Sequence, residues 1–186
     1  MNDKRRIHVS KFLSRVLRHA PEDIGLTLGT GGWVLVEDLL SGAAARGGMR
    51  IPPEELAEVV RACEKQRFAF DETGRRIRAN QGHSTEVEHD FEVAEPPAEV
   101  FHGTAKRMLD VILRDGVLKM ARHHVHLSAD AATAVKVGSR HGSPVVLIVD
   151  AAKMRTDGHV FFRSPNGVWL VEHVPSQYLR LQTPEK

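Results

Sequence analysis

The apolar residues Val9, Phe12, Leu13, Val16 and Leu17 recur along one face of a 3.6-residue repeat, and Pro21 closes that repeat soon afterwards. The spacing predicts a helix whose last turn carries Arg18 and His19. Between Gly25 and Val36 the pattern breaks up: Leu26, Leu28, Trp33, Val34 and Val36 flank Thr30-Gly31-Gly32, which predicts short extended pieces around a turn. Residues 37–45 and 53–65 return to helical spacing, the second with a proline in its first turn, and there Cys63 falls on the apolar face. Residues 68–71 and 76–79 flank Glu72-Thr73-Gly74 and read as a hairpin. Helices followed by a hairpin suggest a winged-helix arrangement.

The double proline after Glu95 interrupts any regular element and marks the best boundary, dividing the chain into 1–95 and 96–186. Beyond it Val100-Phe101 is strand-like, residues 105–113 are helical, and Asp115-Gly116 is a stop. Residues 125–127 form a short strand, Asp130 can cap a helix running to about Arg140, and 145–149 is a continuous β-branched run. Two further apolar pieces, 160–162 and 168–171, flank the turn Ser164-Pro165-Asn166-Gly167. The expected class is α+β, with many short strands in the second half.

Composition narrows the setting. At 186 residues and 41% hydrophobic, the chain can build one core or two small ones. A single cysteine excludes an internal disulfide and fits a reducing compartment. No apolar run approaches a membrane span, and the polar start has no apolar signal segment after it. The expectation is a cytoplasmic monomer.

Charge changes the picture more than composition does. The formal net charge is only +2, yet no carboxylate lies between Thr73 and Thr85, where Arg75, Arg76, Arg78, Asn80, Gln81, His83 and Ser84 cluster. Guanidinium forks match phosphate oxygens two at a time, so a phosphate is the natural ligand, with Arg76, Asn80, Gln81, His83 and Ser84 as candidate RNA phosphate contacts. Three further acid-free islands hold Arg18 and His19, then Arg122, His123, His124 and His126, then Arg140 and His141. Any single island is more often an ordinary solvated face, and arginines paired with the acidic segment 86–99 are the alternative for Arg75 or Arg76.

Phe101-His102-Gly103-Thr104 sets a histidine and a hydroxyl around a glycine where a strand is expected to give way to a helix, and His126-Leu127-Ser128 repeats the theme. Two such strand ends could frame a dinucleotide. The histidine run 123–126 raises the question of a metal, but the second half has no cysteine and no His-Glu-x-x-His, so none is expected. No serine-nucleophile elbow and no glycine-rich nucleotide loop is present.

Taken in order, Lys11-Phe12-Leu13-Ser14-Arg15-Val16-Leu17-Arg18-His19, Gly32-Trp33-Val34, Arg78-Ala79-Asn80-Gln81-Gly82-His83-Ser84, Phe101-His102-Gly103-Thr104, Val125-His126-Leu127-Ser128 and Gly138-Ser139-Arg140-His141-Gly142 resemble the NAD-dependent RNA 2′-phosphotransferases, which remove the 2′-phosphate left at tRNA splice junctions. The resemblance covers nearly the whole chain. It implies a winged-helix-like, RNA-binding lobe followed by an ADP-ribosyltransferase-like, NAD-binding lobe of short strands and helices. It also implies a catalytic group of Arg18, His19, Arg78 and Arg140, with Arg122 and Arg163 as the other arginines of the second lobe that could fill the fourth place. His102, Gly103, Thr104, His126, Leu127 and Ser128 would bind NAD.

The implied reaction is metal-free. The RNA 2′-phosphate attacks C1″ of NAD and expels nicotinamide, giving an ADP-ribosylated 2′-phospho-RNA. O2″ then attacks that phosphorus, releasing 2′-OH RNA and ADP-ribose 1″,2″-cyclic phosphate. Two other readings compete: an ADP-ribosyltransferase that caps terminal phosphates of RNA or DNA, and a non-catalytic winged-helix RNA-binding protein. Neither needs Arg18, His19 and Arg78 together.

Overall fold

A computed structural model describes residues 1–88 and 90–182, and at His141 the backbone alone. The fold is mixed α/β, with six α-helices and several small sheets among the described residues. The chain divides into two compact units, Met1–Asp90 and Phe91–Lys186. No helix among the described residues is long and apolar enough to cross a membrane.

The first unit is built on helix α1 (Asp3–Val16), capped at its start by the Asn2 side chain, which accepts from the Arg5 N–H. Val9, Leu13 and Val16 are fully buried, and Arg18 and His19 lie just beyond the Leu17 C-cap. Their backbone N–H groups still donate to the Arg15 carbonyl, which fixes where both side chains leave the helix end. Short strand β1 (Val34–Leu35) leads into α2 (Val36–Ala45), and α3 (Pro53–Arg61) packs near α1. The hairpin β2 (Phe68–Phe70) and β3 (Arg76–Ala79) completes an antiparallel sheet in the order β1-β3-β2. Leu13, Leu17, Leu39, Leu56, Phe68 and Ile77 meet in one core. Helix α3 stops at Arg61, earlier than its spacing predicts, because the chain turns through Gln66 at φ 43° to enter β2. Cys63 therefore lies past the helix, half-buried, its Sγ accepting from the Arg67 backbone N–H at 3.4 Å.

The second unit centres on two long strands, β5 (Glu99–Ala105) and β8 (Pro144–Asp150), paired antiparallel over all seven residues. The other strands are short: β4 (Glu92–Val93), β6 (Val117–Leu118), β7 (Val125–Leu127), β9 (Phe161–Arg163), β10 (Trp169–Val171), β11 (His173–Val174) and β12 (Leu179–Leu181). They form the orders β4-β9-β10-β7, β11-β6 and β12-β8-β5. Pro96 and Pro97 fall after β4, within this unit. Helix α4 (Leu109–Asp115) follows a short 3-10 turn, α5 (Ala131–Gly138) is capped by Asp130 accepting from the Thr133 N–H at 2.7 Å, and α6 (Ala151–Thr156) follows β8. Val100, Leu127, Leu147, Met154, Phe161 and Trp169 form its core.

The segment Phe101-His102-Gly103-Thr104 does not sit at a strand-to-helix junction as the sequence suggests; it runs through the middle of β5. Pairing along the whole β-branched run of β8 keeps it extended to Ala105. Gly103 is there because α5 lies on it: a Cβ at that position would stand 1.7 Å from the Ala134 carbonyl oxygen.

Candidate active site

In the first unit the acid-free stretch folds back on the end of α1. The Ser84 and Thr85 backbone N–H groups both donate to the Arg18 carbonyl, at 2.9 and 3.2 Å, and the Ser84 Oγ lies 2.8 Å from Nδ1 of His19. Two segments more than sixty residues apart are thus locked together at the residues that the charge pattern singles out. The Arg18 guanidinium donates to the Arg67 carbonyl at 3.3 Å, lies 5.9 Å from the Phe68 ring centre and runs past Gly82. These contacts hold a half-buried cation in one position. His19 and Ser84 are exposed beside it.

Arg78, on β3, lies with its guanidinium 4.5 Å from the Trp33 ring centre, and its Nη1 donates to both carboxylate oxygens of Asp90 at 2.8 Å. Its Nε is buried and has no hydrogen-bond acceptor among the described residues. Gly31 makes room for the pair: it stands at φ 69°, and a Cβ there would come within 2.7 Å of Asp90 Oδ2. The absence of carboxylates along this stretch does not carry over into space. Asp90 reaches Arg78, and Asp71 reaches Arg76 at 3.0 Å. The Arg76 backbone N–H first, then its guanidinium and the Thr73 hydroxyl, hold the Asp71 carboxyl at about 2, below the usual 3.8.

The remaining phosphate candidates separate by burial. Asn80 and His83 are 4% and 2% exposed, inside the unit rather than on its surface. Asn80 Nδ2 donates to the Gln66 carbonyl at 2.6 Å and its backbone N–H to Arg67, so it ties the end of β3 to the turn before β2. Gln81 is half-buried, Ser84 and Arg76 exposed.

In the second unit a two-way backbone pair joins Phe101 and Ser128: each N–H donates to the other's carbonyl, at 2.9 and 2.7 Å. This brings the middle of β5 against the end of β7. Nδ1 of His102 lies 3.4 Å from the His126 carbonyl oxygen, and Nη1 of Arg122 lies 3.4 Å from Nδ1 of His126. Burial pushes the His102 imidazole below its ordinary 6.5, the His126 carbonyl acts against that, and the Arg122 charge adds to it. His102 is therefore neutral at pH 7, with one nitrogen able to donate and one to accept. Thr104 is buried on the same face of β5, and Leu127 belongs to the core.

Arg140 is exposed on the 3-10 turn Ser139–His141 that extends α5; the side chain of His141 lies outside the description. Arg163 lies with its guanidinium 5.4 Å from the Trp169 ring centre. Of the three arginines considered for the fourth place, Arg122 is the one whose guanidinium lies beside His126, a proximity that spacing alone did not reveal. His124 turns its ring edge-on to Phe91 and Phe162. No group of three histidine, cysteine or acidic side chains suited to a metal occurs among the described residues.

The donor set suits a dinucleotide such as NAD. Arg122 stands beside the His126 ring, the His102 ring is held below its ordinary pKa, and Ser128 is paired to the same strand, a combination that can meet a pyrophosphate and ribose hydroxyls.

Comparison with known proteins agrees with the motifs. Residues 4–173 match the family described as RNA 2'-phosphotransferase, Tpt1 / KptA family. The chain is 52% identical over 180 residues to a protein of Nostoc punctiforme, covering 97% of this chain and 99% of that one. It is 52% identical over 184 residues to one of Streptomyces coelicolor, covering 99% and 100%. It is 55% identical over 172 residues to one of Agrobacterium fabrum, covering 91% of each. All three carry the name "Probable RNA 2'-phosphotransferase".

Proposed function

The chain belongs to the RNA 2'-phosphotransferase, Tpt1 / KptA family, and from that membership we propose that it removes an internal 2′-phosphate from RNA, of the kind left at tRNA splice junctions, by transferring it to NAD. The first unit would serve as a winged-helix-like RNA-binding lobe and the second as an ADP-ribosyltransferase-like lobe, in a cytoplasmic, monomeric and metal-independent enzyme. When bound, NAD supplies a ribose whose C1″ accepts the phosphate as nicotinamide leaves and whose O2″ closes the 1″,2″-cyclic phosphate.

The observation that carries this reading is the locking of Arg18 and His19 to Ser84. It brings a guanidinium, an imidazole and a hydroxyl to one place on the first unit. Arg18 and Arg78 would hold the 2′-phosphate and balance the charge that develops on its oxygens. A phosphate bound at Arg78 would replace Asp90, which already occupies that guanidinium as a carboxylate does. His19 would move a proton at a reacting oxygen, its Nδ1 side oriented by Ser84. Ser84, Gln81 and Arg76 would touch RNA phosphates directly, while Asn80 and His83, being buried, would shape the loop that presents them. His102, His126, Thr104 and Ser128 would seat NAD, with Gly103 and Leu127 setting the backbone that carries them, and Arg140 would be the fourth catalytic residue.

The test is incubation with a 2′-phosphorylated RNA with and without NAD, with every product identified. NAD should be required, and nicotinamide, the cyclic-phosphate product and 2′-OH RNA should appear in equal amounts. Inorganic phosphate released without NAD would indicate a plain phosphatase and end the proposal. A chelator should leave the rate unchanged.

A further inference from the structure

The first unit carries a second cationic feature, which meets the phosphate site at His19 and extends away from it. A cleft of about 570 Å³ lies along α1, lined by Arg6, Lys11, Arg15 and His19 on one side and by Lys65 and Arg67, after α3, on the other. Its lining contains a single carboxylate, Glu64. The α1 wall is a stripe: Ile7, Lys11, Arg15 and His19 follow one another at intervals of four, away from the buried face of Val9, Leu13 and Val16. At about 1.5 Å per residue the helical part of this stripe, residues 7–15, extends for about 12 Å, and His19 lies just past its end.

Arg6 has a carboxylate neighbour in Asp3 at 2.7 Å, and Arg15 in Asp23 at 2.5 Å. Both pairs have well-exposed members, so they are worth little in water and yield easily to a polyanion. Ile7, 54% exposed, offers an apolar surface beside the charges against which a base or ribose can lie. A ribbon of positive charge with an apolar edge, starting beside His19, has the form of a track for a nucleic-acid backbone.

We propose that the cleft between α1 and the segment after α3 is the path of the RNA strand flanking the 2′-phosphate, with Lys11 and Arg67 contacting its phosphodiesters. This rests on the reading of His19 as part of the phosphate-transfer site, and it adds the substrate's extent: recognition reaches several nucleotides to one side of the modified one. A strand laid here places its negative charges along the α1 stripe and its end at His19. Lys11 is exposed on the outer face of α1, so its replacement leaves the core untouched.

The experiment measures binding of fluorescent 2′-phosphorylated RNAs to the full chain by anisotropy, comparing a dinucleotide with oligomers extended on the 5′ or the 3′ side. Proteins are the parent, Lys11→Glu, Arg67→Glu, the milder Lys11→Gln, and Lys136→Glu on α5 as a charge control. Thermal melts confirm that each is folded. Extension on one side should tighten parent binding. Lys11→Glu and Arg67→Glu should remove about tenfold or more of that gain and leave the dinucleotide unaffected. Lys11→Gln should lower the salt slope for the extended RNA by about one contact, and Lys136→Glu should change nothing.

Equal affinity of all the variants for the extended RNA overturns the track. So does polyglutamate displacing RNA as well as unlabelled RNA of equal charge does, since the cleft would then be a site for acidic peptides. The same oligomers with a plain 2′-OH separate the two readings. If Lys11→Glu weakens them equally and the 2′-phosphate adds nothing, the track stands and the phosphate site fails. If the 2′-phosphate adds affinity that Lys11→Glu does not touch, the phosphate site stands and the track fails.

Discussion

In the first unit Arg78 is clasped by Asp90 and lies over Trp33, and Arg18 is held by a carbonyl and a phenyl ring. In the second, burial holds the His102 imidazole below its ordinary pKa, and Arg122, whose charge adds to that, stands beside a histidine nitrogen. The first unit therefore presents fixed charge whose direction is set in advance. The second presents polar side chains where the middle of one strand meets the end of another, and backbone pairing does the positioning. Charge set in advance favours a small dense anion such as a phosphate monoester, because the guanidiniums are already aimed and at Arg78 the anion has only to take the place of Asp90. Neutral polar groups favour a larger ligand that spreads its hydrogen bonds over sugar and amide groups. This is the difference that the proposed division of labour, phosphate on the first unit and NAD on the second, calls for.

The largest effect that can break this comparison comes from the arginines. Arg18→Ala and Arg78→Ala should each slow formation of 2′-OH RNA by about a hundredfold or more, the usual cost of removing one preorganised charge contact. The loss should fall mainly on phosphorus chemistry, so nicotinamide should be released ahead of 2′-OH RNA, which a two-product time course reads directly. Arg140→Ala should behave in the same way, with Arg163→Ala near the parent. If Arg122→Ala lets nicotinamide run ahead and Arg140→Ala does not, the fourth arginine is the one beside His126. Equal slowing of both products in every variant would mean that the arginines only bind RNA.

Next in size is Gly103→Ala, which tests whether the second unit's glycine serves packing or ligand. The added methyl would collide with the Ala134 backbone of α5, and overpacking of this kind costs about 2 kcal/mol or more. The melting temperature should fall by several degrees, while the folded fraction binds NAD as the parent does. An unchanged melting temperature with weakened NAD binding would make Gly103 part of the ligand's seat.

These two substitutions also mark what the sequence could and could not tell. The helix over α1, the hairpin, β7, the Asp130 cap and the α5 helix were legible, because each is decided by neighbours a few residues apart. Strands of two or three residues such as β4, β6, β11 and β12 were not, since their pairing is decided by distant partners. The same holds for charge. A stretch without carboxylates between Thr73 and Thr85 could be read off the chain, but Asp90 reaching back to Arg78, Asp71 to Arg76, and Asn80 and His83 turning inward are outcomes of tertiary structure. Gly103 was noticed for a reason that proved local to the motif; the helix that requires it lies some thirty residues on.

A smaller effect sharpens the first half of the comparison. If Asp90 holds the place of a phosphate at Arg78, Asp90→Asn should free the guanidinium and tighten inhibition by inorganic phosphate. The pair has one member 44% exposed, so its strength is at most about 1 kcal/mol and the gain at most about fivefold. Weaker inhibition by phosphate in this variant would show that Asp90 orients Arg78 rather than occupying its anion site.

The smallest effect concerns the second half, the neutrality of His102. Burial, aided by the Arg122 charge, lowers its pKa in the folded chain below the 6.5 of an ordinary histidine. Well above 6.5 neither the folded nor the unfolded chain is protonated there, so the residue contributes nothing to the pH dependence of stability in that range. As pH falls through 6.5 toward the lower folded value, only the unfolded chain takes up the proton, and stability falls with it. His124 acts in the same direction, through burial and then the charges of His123 and Lys119, with Glu172 opposing. The melting temperature should therefore decline on acidification from pH 7 toward 5. His102→Gln should flatten part of that decline, and His102→Gln with His124→Gln more of it. NAD binding should weaken over the same range in the parent, because a protonated His102 loses the acceptor that the neutral ring offers. A His102→Gln variant that keeps the parent's full slope would mean that the imidazole is already as easily protonated in the folded chain as in the unfolded one, and the contrast between a charged first unit and a neutral second unit would no longer hold.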